Sequence, residues 1–258
     1  MLRRCKVFKE VIPKAERRNK RWLAGFRNLQ VWLGWRWSWS WPGARGGQKP
    51  ASSVAEQGIV DKALVTFRAF DADKNMEWFH ENLRDCKGLL IVPNMLKAGF
   101  ILGGSGGSGV LVARNEKTGD WSEPAFYTLG SVTLGLQIGG ESAEVIMMVR
   151  TQKALDALYT TGFKLGGDTS VAVGPMGAGA KSVVTADIVS FAKSKGLFAG
   201  LNLEGAVVKV SVDSNRAYYG KEVSPLDIIV RNEVRNPGAA KLRAELRKDS
   251  EIRQAHAR

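Results

Sequence analysis

Apolar residues recur at helical spacing in the stretch that follows residue 50. Between residues 54 and 70 they fall on one side of a helix, at Val54, Ile59, Val60, Ala63, Leu64 and Phe67. Ser52 or Ser53 can cap the start of this helix. A second helix is predicted to begin at Asp73 or Asn75 and to end at Gly88.

After Gly88 the pattern changes to short apolar runs separated by glycine and polar turns, which is typical of strands. The runs are LLIVP (89–93), AGFILGG (98–104), GVLVAR (109–114), SVTLGLQIG (131–139), AEVIMMV (143–149), KLGGDTSVAVG (164–174), GLFAGLNLEG (196–205) and AVVKVSV (206–212). Short helices are predicted at 152–160, 225–231 and 237–248. Because the strands follow one another without long crossovers, they favour antiparallel pairing. We predict an α+β fold: a mainly antiparallel, curved or barrel-like β-sheet flanked by helices.

Charge and tryptophan are concentrated in the first 50 residues. This segment holds thirteen Lys and Arg against two Glu, a net charge of +11, and six of the eight Trp. The remainder carries 25 basic and 23 acidic residues and is nearly neutral. The shift predicts a basic, Trp-rich and disordered tail at 1–50, a domain at 51–248 and a C-terminal tail at 249–258.

Residues 1–50 allow several interpretations. Cations and indoles together suit an anionic membrane surface, and they also suit nucleic acid through phosphate contacts and stacking. A degenerate export signal is a third alternative, although Arg27 and Arg36 interrupt the apolar stretch. A tail without structure is the fourth. For the body of the chain we expect no nucleic acid partner.

Three motifs approach catalytic or metal-binding patterns, and each lacks a required feature. GGSGGSG (103–109) is followed by β-branched residues rather than by a helix, so it predicts a turn between strands. GPMGAGAKS (174–182) has Ala180 where a phosphate-binding loop needs Gly. DADKNMEWFHEN (71–82) has Met76 and Asn82 where a calcium loop needs Gly and Glu, which indicates a polar helix cap. We therefore expect no catalytic residues, no cofactor, no metal and no enzyme activity.

Several strings together resemble the SYLF domain family. They are KGLLIVPNMLKAGFILGGSGGSGVLVAR, WSEPAFYTLG, LQIGGESAEVIMMV, FKLGGDTSVAVGPMGAGA, SKGLFAGLNLEGAVV, NRAYYGK and SPLDIIV, in family order. They span roughly residues 54–246. The family includes lipid-binding proteins of animals and plants, actin-binding relatives of fungi and many bacterial members. The short architecture of this chain is similar to the bacterial ones.

The resemblance implies a non-enzymatic binding module. In animal relatives, phosphoinositide binding is associated with the amphipathic helix that starts the domain. Here that helix is 54–70, and its candidate lipid-binding residues are Ile59, Lys62, Leu64, Phe67 and Arg68. Lys62 and Arg68 are offset by Glu56 and Asp61, so the stripe can pack on the sheet or insert into a membrane.

Three functional hypotheses remain open at the level of sequence. The first is a lipid- or membrane-associated module whose partner is an anionic lipid, such as a phosphoinositide, or a membrane surface. The second is an actin-binding-like module with a protein partner. The third is an uncharacterised exported structural protein. For location, the resemblance favours an exported, periplasmic or peripheral membrane protein, with the cytoplasm as the alternative.

Overall fold

A computed structural model describes residues 51–99, 102–134, 139–160, 162–167, 169–177, 184–194, 197–198 and 203–256. The chain divides into two units, Met1–Gly46 and Gly47–Arg258, and every described residue lies in the second. The predictions for residues 1–50 therefore fall outside the described residues. So do residues 178–182 of the GPMGAGAKS motif, which include its lysine.

Five α-helices are described: α1 (Ala51–Asp71), α2 (Glu77–Asn82), α3 (Gln152–Leu158), α4 (Val212–Tyr219) and α5 (Ala240–His256). Short 3-10 turns at Lys74–Met76 and Leu83–Asp85 bracket α2, and a third, at Pro237–Ala239, leads into α5. Residues Leu226–Val230 form one turn of π-helix. The predicted helix that ends at Gly88 is therefore three short pieces. The last helix ends at His256 rather than at residue 248.

Among the described residues, nine strands form one sheet: β1 (Gly88–Gly99), β2 (Leu102–Ala113), β3 (Ala125–Leu134), β4 (Gly139–Val149), β5 (Gly162–Lys164), β6 (Val171–Val173), β7 (Ile188–Ser194), β8 (Leu197–Phe198) and β9 (Val207–Val210). Their order is β5-β9-β3-β2-β1-β4-β7-β6, with β8 paired to β7. All pairs are antiparallel except β6 with β7. The sheet is curled into a half-barrel with helices around it, which confirms the predicted α+β fold.

Apolar side chains fill both faces of the sheet. One core packs Leu90, Leu111 and Met147 against α3 and the π-helical turn. The other packs Leu89, Ile91 and Phe126 against α1, α2, α4 and α5. Strands buried on both faces lose the simple alternation of apolar and polar residues.

The run GGSGGSG lies inside β2, so the predicted turn is wrong. Each of its residues pairs with β1, with β3 or with both. Two of the glycines face a bulge in β1 between Ile91 and Asn94. It brings backbone carbonyls so close that a Cβ at Gly109 would lie 2.3 Å from the oxygen of Ile91, and one at Gly107 would lie 2.5 Å from that of Asn94. Only glycine fits these two positions.

Candidate interaction surface

Helix α1 has one side in the core and one side in solvent. Val60, Ala63, Phe67 and Phe70 are buried against the sheet, and Phe67 packs on Phe79 with ring centroids 6.4 Å apart. Val54, predicted to belong to the same apolar stripe, lies instead on the outer side and is 60% exposed. Helix α1 is thus an integral part of the domain.

The five candidate lipid-binding residues do not share one surface. Leu64 and Phe67 are buried, at 8% and 0% exposure, and Ile59 is half-buried beside the same core. Lys62 and Arg68 are exposed. The two cations can therefore meet a partner directly, whereas the apolar members can do so only if α1 leaves the sheet.

Polar contacts tie α1 to its neighbours on both flanks. The Thr66 hydroxyl donates to Glu144 Oε1 on β4 at 2.9 Å. The Arg68 guanidinium forms an ion pair with Glu245 on α5. At the end of the helix, Lys193 Nζ lies 2.9 Å from Asp73 Oδ2, and this lysine lowers the pKa of the Asp73 carboxyl. These contacts fix the outward orientation of the helix.

A buried carboxylate anchors α5 to the segment that leads into β3. Glu123 is 4% exposed, and its Oε1 lies 2.8 Å from Arg243 Nη1. Its Oε2 accepts from the backbone N–H of Asn236 at 3.2 Å. Burial, together with the nearby Glu123 charge, raises the pKa of the Tyr218 and Tyr219 hydroxyls above its usual range. The WSEP segment is therefore a structural element that positions the helical layer.

The motifs that approached catalytic patterns have structural roles where they are described. Asp73 Oδ1 accepts from the backbone N–H of Asn75 at 3.0 Å, which is the polar cap that the sequence indicates.

In the described residues, no group of three or more His, Cys, Asp or Glu could hold a metal ion. In the same part of the chain, no helix combines the length and apolarity needed to cross a bilayer.

Known proteins share sequence with this chain. Residues 130–249 match the family described as "Ysc84: Las17-binding protein actin regulator". Over 201 residues, the chain is 33% identical to "LAS seventeen-binding protein 3" of Saccharomyces cerevisiae, covering 74% of this chain and 43% of that protein. It is also similar to "Protein YSC84" of the same yeast, with 34% identity over 202 residues, 74% of this chain and 42% of the relative.

A human protein, "SH3 domain-containing YSC84-like protein 1", is 35% identical over 148 residues, covering 55% of this chain and 43% of its own length. The curled sheet and its helical layer, together with these matches, define a domain that this chain shares with proteins described as Las17-binding. The chain belongs to the Ysc84 (SYLF) domain family, as the sequence resemblance predicted. It spans less than half the length of these curated relatives.

Sequence reasoning did not identify the outer surface of the helical layer. Its exposed residues include Val65 on α1 and Lys241 and Lys248 on α5. Charged residues on a helix are usually only a solvated face. The position of Val65 could have shown that it is exposed. It lies two residues before the buried Phe67, which places it on the opposite side of α1.

Proposed function

We propose that this chain is a protein-interaction module of the actin-regulator type, with the outer surface of α1 and α5 as its binding face. One observation supports a protein partner over bilayer insertion. The apolar side of α1 is buried in the core, and its solvent side combines cations, an anion and small residues. Insertion into a bilayer needs an apolar helix face that is directed away from the domain. The description of the matching family as an actin regulator supports the actin-related partner.

The proposal is tested by pelleting the full chain with actin filaments. We expect the chain to appear in the pellet in proportion to filament concentration. Replacing the exposed Lys241 and Lys248 of α5 by Glu is expected to lower binding several-fold, because it reverses charge on the proposed face.

A matched double variant carries the same charge changes away from α5. It is Lys153→Glu with Lys164→Glu; both lysines are exposed, one on α3 across the sheet and the other on the outermost strand β5. It should pellet like the wild type. If no chain pellets at saturating filament concentration, the actin-related function is wrong. If both double variants bind equally poorly, the proposed face is wrong.

Anionic lipid is a second candidate partner, supported by the exposed Lys62 and Arg68 and by the +11 charge of residues 1–50. Here the cations of α1 would contact headgroups, while Ile59, Leu64 and Phe67 would reach the acyl region only after α1 is released.

Cosedimentation with vesicles that contain phosphatidylserine or a phosphoinositide tests this candidate. We expect Lys62→Glu with Arg68→Glu to weaken binding, and high salt to weaken it further. Failure of the full chain to sediment with anionic vesicles at low salt would remove lipid as a partner.

A further inference from the structure

Arg114 and Trp121 lie side by side where β2 and β3 lead into the turn between them. They are partners in an antiparallel β-bridge, so their side chains share one face of the sheet, about 5 Å apart at Cβ. Trp121 is 2% exposed and belongs to the core that α5 covers. The Nε atom of Arg114 and the Nε1 atom of Trp121 are both buried, and neither donates to an acceptor within the described part of the chain. Two neighbouring N–H donors are thus directed into the interior without an acceptor from the chain.

The carboxylates in and beside this turn are paired with other cations. The ion pairs are Asp85 with Arg84, Glu116 with Lys87, Asp120 with Arg247 and Glu123 with Arg243. Arg114, by contrast, takes part in no ion pair among the described residues, although it is half-buried. A positive charge that is partly withdrawn from water without a counter-charge is unfavourable. The two donors therefore suit an acceptor that also carries negative charge.

The buried thiol of Cys86 lies close to Arg114 but does not supply that charge. Burial raises the pKa of this thiol to about 12, against the opposing effect of the Arg114 guanidinium. The thiol is therefore protonated at neutral pH, and it donates to the carbonyl oxygen of Leu83 at 3.1 Å. The described residues thus offer Arg114 no counter-charge, whereas a ligand can bring one.

A tetrahedral oxyanion suits both donors. A guanidinium presents its Nε–H and one Nη–H side by side, in a fork that matches two oxygens of a phosphate or sulfate ion. The indole of Trp121 only donates, so a third oxygen of the same ion can accept its N–H. A water molecule can also accept these hydrogen bonds, but it leaves the guanidinium charge uncompensated.

We infer that Arg114 and Trp121 form a binding site for a small tetrahedral oxyanion such as inorganic phosphate. Because Arg114 is only half-buried, an ion of this size can approach its guanidinium from solvent. The site lies beside α5, whose Arg243 donates to the carbonyl oxygen of Trp121 at 2.7 Å. The inference does not depend on the actin-related function.

Titration of the full chain with sodium phosphate, at an ionic strength held constant with sodium chloride, tests the site. The signal of the Trp121 indole N–H is followed by NMR and is assigned by its loss in Trp121→Phe. Small ions held by a few hydrogen bonds bind in the millimolar range, so the signal should shift and saturate below about 50 mM phosphate. The indole of Trp78, which is buried on α2, should not shift.

Substitutions in the same turn separate the site from general surface charge. Arg114→Gln removes the charge and the fork, and it is expected to weaken phosphate binding at least tenfold. Arg114→Lys keeps the charge but loses the fork, so it should weaken binding by a smaller factor. Lys117→Gln is the matched control: it removes an exposed cation from the same turn and should change binding less than about twofold.

Urea unfolding gives a second measurement and shows that each variant is folded. A ligand that binds the folded state raises the midpoint of unfolding by mass action. Phosphate should therefore raise the midpoint of the wild type and of Lys117→Gln, relative to chloride at the same ionic strength. It should raise the midpoint of Arg114→Gln much less.

Three results would overturn the inference. One is a Trp121 indole signal that phosphate leaves in place throughout the titration. Another is chloride shifting that signal as much as phosphate does, and the third is equal weakening of binding by Arg114→Gln and Lys117→Gln. Binding to actin filaments is measured separately, so its loss would leave this inference standing.

Discussion

A single absent methyl group at position 109 allows β1 and β2 to pair along their whole length. The carbonyl oxygen of Ile91 occupies the space where a Cβ at this position would lie, 2.3 Å away. At Gly104, on the same strand, the nearest heavy atom to a Cβ is the oxygen of Ser131 at an ordinary 3.7 Å. The backbone of the neighbouring strand thus excludes a side chain at Gly109 but leaves room for one at Gly104.

Gly109→Ala is therefore expected to lower the free energy of unfolding by about 1–3 kcal/mol, because the strands must separate or the bulge must shift. Gly104→Ala is the control and should change it by less than about 0.5 kcal/mol. Urea denaturation followed by tryptophan fluorescence measures both. Equal midpoints for the two variants would contradict the close approach at the bulge.

The buried side of helix α1 holds it on the sheet. Substitutions on the buried and exposed sides should therefore differ in their effect on stability. Phe67 is fully buried, so Phe67→Ala is expected to cost about 3–5 kcal/mol of unfolding free energy through the cavity that it leaves. Val65→Ala, on the exposed side, should cost less than about 0.5 kcal/mol at low protein concentration. Thermal unfolding compares them. A Phe67→Ala protein as stable as Val65→Ala would show that α1 is not anchored as described.

The π-helical turn at Leu226–Val230 depends on the charge of Asp227. Ser224 donates its hydroxyl and its backbone N–H to Asp227 Oδ2, at 2.6 and 2.9 Å, and Arg231 lies 2.6 Å from Oδ1. These hydrogen bonds to the Ser224 groups, with the Arg231 guanidinium, lower the pKa of Asp227 to about 2. A carboxyl with a lowered folded-state pKa contributes stability above its unfolded pKa, near 4, and loses it as pH falls towards 2.

Asp227→Asn should consequently make the free energy of unfolding less dependent on pH between about 5 and about 2. The wild type should lose more stability over this range than the variant does. Urea midpoints at several pH values measure the difference. Asp213→Asn, a change in an exposed ion pair on α4, is the control. Parallel profiles for wild type and Asp227→Asn would refute this role of Asp227.

Elements with a clear period could be predicted from sequence, and those set by long-range contacts could not. Helix α1 was predicted at nearly its observed bounds because its apolar stripe repeats over four turns. Helix α4 was missed because its buried positions are Asn215 and Tyr218, and Asn215 is buried in order to accept the backbone N–H of Phe126 on β3.

Strand β7 was also missed, because Ser190, Lys193 and Ser194 interrupt its apolar run, although both serines are buried. The candidate site met a similar limit. Periodicity placed Leu64 and Phe67 on one apolar side of α1. That pattern is the same whether the side meets a sheet or a bilayer, and only the tertiary structure shows the sheet beneath it.

Helix α5 covers one core with Leu242 and Leu246, and two arginines link it to the segment that precedes β3. Arg243 contacts Glu123, whose side chain is 6% exposed, and also donates to the carbonyl oxygen of Trp121 at 2.7 Å. Arg247 contacts Asp120 in a pair whose side chains are 54% and 47% exposed. One helix thus carries a largely buried pair and a surface pair, one turn apart.

Removing each arginine in turn should separate the two contributions. Arg243→Ala leaves the buried Glu123 carboxylate without its guanidinium and is expected to cost about 2–4 kcal/mol of unfolding free energy, below the range for fully buried pairs because Arg243 is one-third exposed. Arg247→Ala should cost less than about 1 kcal/mol. Adding Glu123→Gln to Arg243→Ala removes the unpaired buried carboxylate and should restore part of the lost free energy of unfolding. Equal costs for the two arginines, measured by urea unfolding, would mean that the buried carboxylate does not anchor α5.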